Sequence, residues 1–598
     1  MIEGGEDAEG VGHGFESRTA FVVDFADRFG WARRRPAVSR PLRPQNVLDD
    51  LPMSHFVNRR DAIVAEAIEG FLSTARSGDL ARLDGFPDVK VVVRADWDRS
   101  KVAIVSGGGS GHEPAHAGFV GRGALTAAVC GDIFASPTVH AVYSAIVAVA
   151  GPAGCLLIVK NYAGDRLNFG LAAERARADG LKVEMVIVAD DVAIENHARP
   201  RGVAGTLFVH KVAGHHAEAG APLETVVSEA ARVAKAVKSL GIATTVCSVP
   251  GQTAHVRLNP GQAELGLGIH GEPGIERIEL PSADEVAALI ADRLERAAPV
   301  GSVALLVNNL GGTPDLEMGV VCRSLLATKL GARAKYIVGP SRLMTALDMK
   351  GVSISVLPLD DSLVAALKSD CRASAWPGFN EILPPKLLPM RRVESNAAET
   401  ASAEPTTRRM LVAVCDALIE HEAELNALDA RVGDGDTGTT FAAAARAVLS
   451  AVDALPLAAH DRLCAAIGRR LSEIMGGTSG VLLSIFAAAA GRALASGAGW
   501  PAALREGLDQ MRFYGGAAPG DRTMLDALTP AVDALERGAG LEQAARAARE
   551  GAGATANMTR AHAGRSSYLA ASELKGVADP GAVALATAFE AASAALGK

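Results

Sequence analysis

The chain has 598 residues, 49% of them hydrophobic, and at roughly 150 residues per domain this length allows about four folding units with substantial cores. Its 68 acidic and 60 basic side chains leave a formal net charge of −8, and aromatic residues make up only 4% of the chain. Nucleic acid is therefore excluded as a main partner, because both an overall positive field and abundant stacking side chains are missing.

Cysteine usage and the apolar segments indicate the compartment. The seven cysteines contain no CxxC pair, which disfavours a disulfide framework and a local thiolate zinc site. The N-terminus is acidic and glycine-rich, without the basic start of a secretory signal. The most apolar stretch, 145–159, is interrupted by glycine and proline and is shorter than the ~20 residues of a membrane helix. The sequence predicts a cytoplasmic protein without a membrane partner.

The first part of the chain has little periodicity. Residues 1–52 mix acidic and Arg/Pro-rich pieces, which is typical of a disordered extension or of a mis-assigned start. A helix is predicted over 60–75. The first folded region is therefore expected to begin at about residue 53.

From about 89 to 360, short β-branched runs alternate with Ala-rich helical stretches, a pattern typical of parallel sheets covered by helices. Three of the predicted strands, 102–105, 156–159 and 304–307, each run into a polar loop that contains glycine. Ligands of open α/β sheets bind beyond the carboxyl ends of the strands. We therefore expect these three loops to converge on one site.

Residues 391–409 are poor in large apolar side chains and predict a flexible linker. Beyond it, residues 410–598 show helical periodicity with Ala blocks and glycine-rich breaks. This composition predicts an all-α domain whose interhelix loops carry glycine.

Two short motifs are misleading. His112-Glu-Pro-Ala-His116 matches HExxH, but Pro114 favours a helix start, which would leave His112 on the preceding loop and not on one helical face with His116. Residues 266–271 match GxGxxG, yet Glu272-Pro273-Gly274 follows where a dinucleotide site would begin a helix. Neither a zinc protease nor a Rossmann site is predicted.

The helical region carries an acidic cluster. Asp429, Asp434 and Asp436 place three carboxylates within eight residues beside glycines, a set that suits Mg²⁺ together with phosphate oxygens, although such a segment can also be a simple turn. The segment 476–480 can offer helix N-terminal amides to phosphate, and Arg565 can supply a bidentate cation. The combination favours a nucleotide site.

Three loop residues of the first region, His112, Asp165 and His270, are candidates for proton transfer or nucleophilic attack. Each also has a simpler interpretation: a loop histidine is usually solvated or structural, and Asp165 can cap a helix. Their co-occurrence with the predicted strand-end loops favours the catalytic interpretation.

Together, a longer ordered set of motifs resembles the ATP-dependent dihydroxyacetone kinases of the single-chain type, from about residue 53 to the C-terminus. These motifs are GGGSGHEPAHAGFVG (107–121), FASPT (134–138), KNYAGDRLNF (160–169), GLGIHGEPGIER (266–277), VNNLGGTP (307–314), DARVGDGDTGTT (429–440), GGTSG (476–480), GDRTMLDAL (520–528), and GRSSYL with DPGA (564–569 and 579–582).

The resemblance implies a fold and an activity. It implies an α/β ketone-binding region of two subdomains over 53–390, followed by an all-α helical-barrel nucleotide-binding domain over 410–598. The implied reaction transfers the γ-phosphoryl group of ATP to dihydroxyacetone. Alternatives are a kinase for erythrulose or D-glyceraldehyde, an ATP-independent partner of a phosphocarrier system, and a catalytically silent ketose-sensing paralogue. A homodimer is also implied.

The resemblance further implies the roles of individual residues. His270 would hold the substrate carbonyl as a covalent hemiaminal, His112 would hydrogen-bond the substrate or accept a proton, and Asp165 would take the proton of the phosphorylated hydroxyl. The other substrate contacts are Gly109, Ser110, Gly111 and Lys160. The Mg²⁺ ligands are Asp429, Asp434 and Asp436. The nucleotide contacts are Thr437, Gly438, Thr439, Thr440, Thr478, Ser479, Gly515, Met524, Arg565, Asp579, Pro580 and Gly581.

Overall fold

The computed structural model describes residues 55–75, 78–194, 199–252, 257–390 and 400–597. The predicted extension 1–52 and residues 391–399 of the predicted linker lie outside the described residues. The chain divides into two compact units between Lys386 and Leu387, and each unit is described by itself.

The first unit contains two sheets. The six strands of the first sheet are β1 (Leu80–Arg82), β2 (Val91–Arg94), β3 (Ala103–Ser110), β4 (Ala127–Ile133), β5 (Cys155–Lys160) and β6 (Val183–Val188). Their order across the sheet is β1-β2-β4-β3-β5-β6, and the four strands from β4 to β6 are parallel.

The second sheet has seven strands. They are β7 (Lys238–Ala243), β8 (Gln262–Leu265), β9 (Glu276–Glu279), β10 (Val303–Asn309), β11 (Ala334–Arg342), β12 (Gly351–Pro358) and β13 (Asn380–Glu381). Their order is β13-β11-β10-β12-β7-β8-β9, and only the pair β10 and β11 is parallel.

Nine α-helices complete the described part of the first unit. They are α1 (Ile63–Thr74), α2 (Val139–Val149), α3 (Ala163–Ala178), α4 (Thr206–Glu218), α5 (Leu223–Ala236), α6 (Ala283–Ala297), α7 (Asp315–Leu326), α8 (Lys329–Arg333) and α9 (Asp361–Lys368).

Each sheet is covered on both faces, so successive strand residues enter different cores. Ile104 and Leu156 of the first sheet pack with α1, α4, α5 and α9 in a central core, which one face of the second sheet also enters. The neighbouring residues Val105 and Leu157 pack on the outer side with α2 and α3. The opposite face of the second sheet packs against α6 and α7. The unit is therefore layered, with helices on both sides of each sheet.

The prediction of parallel sheets is right for the centre of the first sheet and wrong for most of the second. A parallel pair needs a crossover connection, usually a helix, between its strands. The chain passes from β7 to β8 and from β8 to β9 without a described helix, and these strands pair antiparallel. The short strands β8 and β9 are among those that the apolar pattern did not reveal.

The second unit is all-helical over its described residues, as predicted. Its α-helices are α10 (Pro405–Glu420), α11 (Glu422–Val432), α12 (Thr437–Ser450), α13 (His460–Ile474), α14 (Gly477–Ala495), α15 (Trp500–Gly515), α16 (Leu525–Glu536), α17 (Leu541–Ala554), α18 (Ala571–Leu574) and α19 (Pro580–Leu596). Eight of them close a ring, since α10 packs on α12, each helix from α12 to α17 packs on the next, α17 packs on α19, and α19 packs on α10.

The predicted linker 391–409 extends too far at its C-terminal end, because α10 begins at Pro405. Glu404 caps this helix by accepting hydrogen bonds from the backbone N–H groups of Thr406 and Thr407, and proline is well suited to the first helical turn. The polar composition that suggested a linker is in part the composition of a helix start.

One described helix, α14, is long and apolar enough to cross a membrane by length and composition alone. It has 19 residues, and it packs against α13 and α15 in the ring of the second unit. A core helix can pass the same test, so this observation is weak evidence for a membrane span.

Candidate active site

The loops that follow β3 and β5 meet at one edge of the first sheet, as expected for parallel neighbours. Lys160, the last residue of β5, places its Nζ 3.3 Å from the carbonyl oxygen of Gly107. A Cβ atom at Gly108 would lie 2.6 Å from Lys160 Nζ and 3.5 Å from Asp165 Oδ2. Gly108 is thus required for close approach, and it lies between the lysine and the aspartate.

His112 is a neutral hydrogen-bond acceptor at this edge. Its side chain is fully buried, and its Nδ1 lies 2.7 Å from the carbonyl oxygen of Thr345. A carbonyl only accepts, so Nδ1 carries the proton and Nε2 carries a lone pair. Burial lowers the pKa of His112 well below its usual value, with further lowering by the charges of His270 and Lys160. The Nε2 atom has no hydrogen-bond partner among the described residues.

His270 lies in the turn between β8 and β9 and is oriented by Glu272. The Nδ1 atom of His270 is 3.0 Å from Glu272 Oε1, and its backbone N–H donates to Oε2 over 3.0 Å. Burial alone would raise the pKa of Glu272, but the hydrogen bond and charge of His270, with backbone N–H groups, hold it at about 2. The carboxylate is ionised, so Nδ1 donates to it and the lone pair of a neutral His270 lies on Nε2.

Aromatic side chains surround His270. Its ring centroid lies 4.9 Å from that of His112, 5.3 Å from that of Phe134 and 4.6 Å from that of Tyr162. Phe134 also packs against His112, at 5.3 Å between centroids. These contacts fix both imidazole planes, so the two lone pairs are held in defined positions.

Three buried polar atoms near this cluster have no partner among the described residues: His112 Nε2, Tyr162 Oη and Asp165 Oδ1. Asp165 lies in the first turn of α3 and is 4% exposed. Buried polar groups are nearly always hydrogen-bonded in folded proteins. Unpaired atoms beside two oriented imidazoles therefore indicate that a small polar ligand completes the site.

The third predicted loop, after β10, contributes indirectly. Asn308 at the end of β10 accepts hydrogen bonds from the backbone N–H groups of Leu343 and Met344. The next residue, Thr345, is the one that orients His112. The loop therefore supports the site, but it places none of the predicted site residues there.

The HExxH segment forms no α-helix, which agrees with the rejection of a zinc site but not with the expected helix start at Pro114. Only a 3₁₀ turn, Ala117–Phe119, follows His116. The Nε2 atom of His116 instead lies 2.7 Å from Lys160 Nζ. The glycine-rich run continues β3 to Ser110, and residues 111–116 form turns in place of the first turn of an α-helix.

Sequence reasoning missed the residues that orient the two histidines. Thr345 acts through its carbonyl oxygen and lies 233 positions from His112, so its side-chain type carries no signal. Glu272, Phe134 and Tyr162 stand inside the quoted motifs. Their place in those motifs was the available signal.

In the second unit, the predicted acidic cluster forms at the turn between α11 and α12. Asp429, Asp434 and Asp436 each offer an oxygen within 4.8 Å of the others. The Asp429 Oδ2 atom accepts backbone N–H groups from Gly435 (3.0 Å), Asp436 (2.9 Å) and Thr437 (3.1 Å), which fixes the turn. Three clustered carboxylates are the donor set that fits a hard divalent cation.

Two other predicted nucleotide contacts lie close to this cluster. Arg565 forms an ion pair with Asp434. Asp579 caps α19 by accepting a hydrogen bond from the backbone N–H of Ala582 over 2.8 Å. Burial raises the pKa of Asp579 to about 6. The negative charges of Asp526 and Asp429 also raise this pKa, whereas Arg522 lowers it. Asp579 is thus within electrostatic range of Asp429.

The remaining nucleotide candidates lie at helix termini or pack beside them. Thr437, Gly438, Thr439 and Thr440 form the first turn of α12, while Thr478 and Ser479 lie in the first turn of α14. Pro580 and Gly581 are the first residues of α19, and Gly515 is the last residue of α15. Met524 packs beside the start of α19, since a Cβ atom at Gly581 would lie 3.6 Å from Met524 Cβ. Thr439 is already paired with Asn426, a residue that sequence reasoning missed. Among the described residues, no hydrogen bond or ion pair joins Thr478, Ser479 or Gly515 to the acidic cluster.

Comparison with known proteins gives two domain matches. Residues 75–375 match the Dak1 domain and residues 431–594 match the DAK2 domain. The chain is 48% identical to the dihydroxyacetone kinase of Citrobacter freundii, over 90% of this chain and 98% of that protein. It is 42% identical to triokinase/FMN cyclase of Homo sapiens (84% and 93% covered) and 36% identical to L-erythrulose 1-kinase of Mycolicibacterium smegmatis (90% and 99% covered).

Solved structures give the same result. The crystal structure of the C. freundii dihydroxyacetone kinase in its native form matches with a TM-score of 0.68 and 46% identity, over 92% of this chain and 100% of that chain. Its complex with AMP-PNP and Mg²⁺ matches equally well. The resemblance deduced from the motifs is confirmed, and the chain belongs to the dihydroxyacetone kinase family, with a Dak1 and a DAK2 domain in one polypeptide.

Proposed function

We propose that the protein catalyses the ATP-dependent phosphorylation of dihydroxyacetone to dihydroxyacetone phosphate. The observation that carries this proposal is the arrangement at His270, whose Nδ1 is bound by Glu272 and whose ring lies beside unpaired buried polar atoms. Relatives named dihydroxyacetone kinase and triokinase support it, as does the C. freundii complex with AMP-PNP and Mg²⁺.

Ketone capture begins at His270 Nε2. Its lone pair forms a bond to the carbonyl carbon, and the π pair of the C=O bond moves to oxygen, which takes a proton from solvent. The nitrogen gains positive charge, so the Nδ1 proton moves to Glu272, 3.0 Å away, and later to solvent. The new hydroxyl donates to the lone pair of His112 Nε2. Glycerol has no carbonyl carbon, so this step rejects it.

Asp165 is the proposed acceptor of the proton on the attacking hydroxyl. Its Oδ1 is buried and unpaired, and Lys160 places positive charge nearby. A carboxylate in this position orients the hydroxyl and takes its proton as the bond to phosphorus forms. His112, His270 and Asp165 are therefore proposed as the catalytic residues, with Gly109, Ser110, Gly111 and Lys160 as further substrate contacts.

The second unit is the proposed nucleotide-binding domain. Asp429, Asp434 and Asp436 would hold Mg²⁺, which neutralises charge on phosphate oxygens when it is bound. The N-terminal turns of α12, α14 and α19 present backbone N–H groups that suit phosphate oxygens. Arg565 supplies a cation that is paired with Asp434 in this structure.

The substrate is tested by measuring ADP formation with dihydroxyacetone, erythrulose, D-glyceraldehyde and glycerol. We expect turnover with dihydroxyacetone and none with glycerol. Faster turnover with erythrulose or D-glyceraldehyde would reassign the substrate within the same chemistry. Activity that needs a phosphoprotein in place of ATP would identify a phosphocarrier partner. No turnover at all, with retained ketone binding, would indicate a ketose-sensing protein and contradict the kinase proposal.

Covalent capture is tested by intact-protein mass spectrometry in the presence of dihydroxyacetone. The variant His270→Ala should lose the adduct completely. In Glu272→Gln, the amide still accepts from Nδ1 but no longer takes its proton, so we expect adduct formation to slow by roughly 10²-fold. Glu279→Gln, which changes an exposed glutamate on β9, is the matched control. An adduct that survives His270→Ala would place the bond on another residue.

The division of labour between the domains is tested with Asp436→Asn. Loss of one proposed carboxylate ligand should weaken Mg²⁺-dependent AMP-PNP binding, measured by calorimetry, by at least about tenfold. The ketone adduct should remain unchanged. Asp416→Asn, at an exposed aspartate on α10, is the control. Equal AMP-PNP affinity in both variants would contradict the metal assignment.

We propose a cytoplasmic homodimer. The family resemblance supports the dimer, and the seven cysteines, all free, support a reducing compartment. Light scattering should give twice the monomer mass of 61.5 kDa. The mass of a single chain at working concentration would contradict the dimer.

A further inference from the structure

A chain of buried polar side chains runs from Lys160 at the ketone site to Ser106, and the proposed chemistry gives no role to its other members. Lys160 Nζ is 2.7 Å from His116 Nε2, the ring centroids of His116 and His210 are 5.2 Å apart, and His210 Nε2 is 3.1 Å from Ser106 Oγ. All four side chains are at most 4% exposed. Polar groups buried this deeply are costly unless each one has a partner.

The proton positions in this chain follow from its ends. The hydroxyl of Ser106 donates to the carbonyl oxygen of Ile158 over 2.7 Å, so its oxygen accepts from His210 Nε2–H. Burial, and then the charge of Lys160, lower the pKa of His210 to about 3, so this ring is neutral. At the other end, an ammonium group only donates, so His116 Nε2 is an acceptor and its proton lies on Nδ1.

The side chain of His116 can act toward Lys160 only as a hydrogen-bond acceptor. Burial lowers its pKa well below the usual value, and the charge of Lys160 lowers it further. Its Nδ1 has no partner among the described residues. A protonated His116 would therefore place a second positive charge against a buried ammonium group.

Lys160 has few other partners. Besides the hydrogen bond to His116 Nε2, its Nζ donates among the described residues only to the carbonyl oxygen of Gly107, at the longer distance of 3.3 Å. Burial lowers its pKa, while the negative charges of Asp165 and Asp190 oppose this change. The titratable groups that face Lys160 are Asp165 on α3, Asp190 after β6, His112 and His116 after β3, and His210 on α4.

We propose that His116 is a positioning residue that holds the Lys160 ammonium group beside Asp165, through a hydrogen bond accepted by its Nε2. The inference rests on the proposed kinase function, and it gives a role to the second histidine of the HExxH segment. His116 acts through Lys160 and touches no reacting atom.

Removal of the His116 acceptor should change the pKa of Lys160 in a predictable direction. Without His116 Nε2 the buried ammonium form loses its shortest hydrogen bond while the neutral amine loses less, so the pKa of Lys160 falls further. Activity that needs charged Lys160 is then lost at a lower pH. Loss of one hydrogen bond to a charged group corresponds to a pKa change of about one to two units.

The test compares His116→Gln, His116→Asn and His116→Leu with the unaltered protein. A glutamine Oε1 can replace the His116 Nε2 acceptor, whereas an asparagine Oδ1 corresponds to Nδ1 and faces away from Lys160. We measure kcat and KM for dihydroxyacetone against pH at saturating Mg-ATP, and the His270 adduct by mass. His140→Leu, at an exposed histidine on α2, is the control for histidine loss.

We expect the basic limb of kcat to move down by about one to two pH units in His116→Leu and His116→Asn, and to return in His116→Gln. Equal behaviour of the Gln and Asn variants, whether both active or both impaired, would overturn the inference and leave His116 a packing residue. If His116→Leu does not fold, the two polar variants make the same comparison. Turnover with an unmoved limb contradicts this inference alone, whereas no turnover by the unaltered protein contradicts the kinase function.

Discussion

The proposed ketone site depends on two hydrogen bonds that fix where histidine protons lie. The carbonyl of Thr345 takes the Nδ1–H of His112, and the carboxylate of Glu272 takes the Nδ1–H of His270. Each bond leaves a lone pair on Nε2, and the aromatic contacts hold the two rings 4.9 Å apart. Reversing either tautomer would place an N–H group where Nε2 now carries the lone pair. The reactivity of the site is therefore set by its neighbours, because an imidazole in water exchanges freely between these forms.

The layered fold supplies those neighbours from distant parts of the chain. The parallel strands β3 and β5 bring the His112 loop to Lys160 and Asp165, whereas His270 comes from the turn between two antiparallel strands of the other sheet. The segment that orients His112 is held by Asn308 at the end of β10. The shared central core joins the two sheets, so burial of ordinary apolar side chains positions polar groups that pair across more than 200 residues.

Local chemistry in the sequence was sufficient for some features. Ala-rich periodicity predicted the all-helical unit, and the strand-end glycine loops predicted that the segments after β3 and β5 approach each other. The second sheet was not predictable in this way, because a strand as short as β8 has the same apolar pattern whether its partner is parallel or antiparallel. The role of Thr345 was not predictable either, since any residue has a carbonyl oxygen. The site roles carried over from the family remain predictions.

The two proposed sites use burial in opposite ways. At the ketone site, burial keeps His112 and His116 neutral, so lone pairs are available at physiological pH. In the acidic cluster only Asp429 is buried, and it is held by three backbone N–H groups, while Asp434 and Asp436 reach solvent. A fixed inner carboxylate with exposed outer ones defines a position for a cation and still allows it to exchange. A covalent substrate site needs fixed protons, whereas a site for an exchanging metal-nucleotide needs access, and each unit provides one of these.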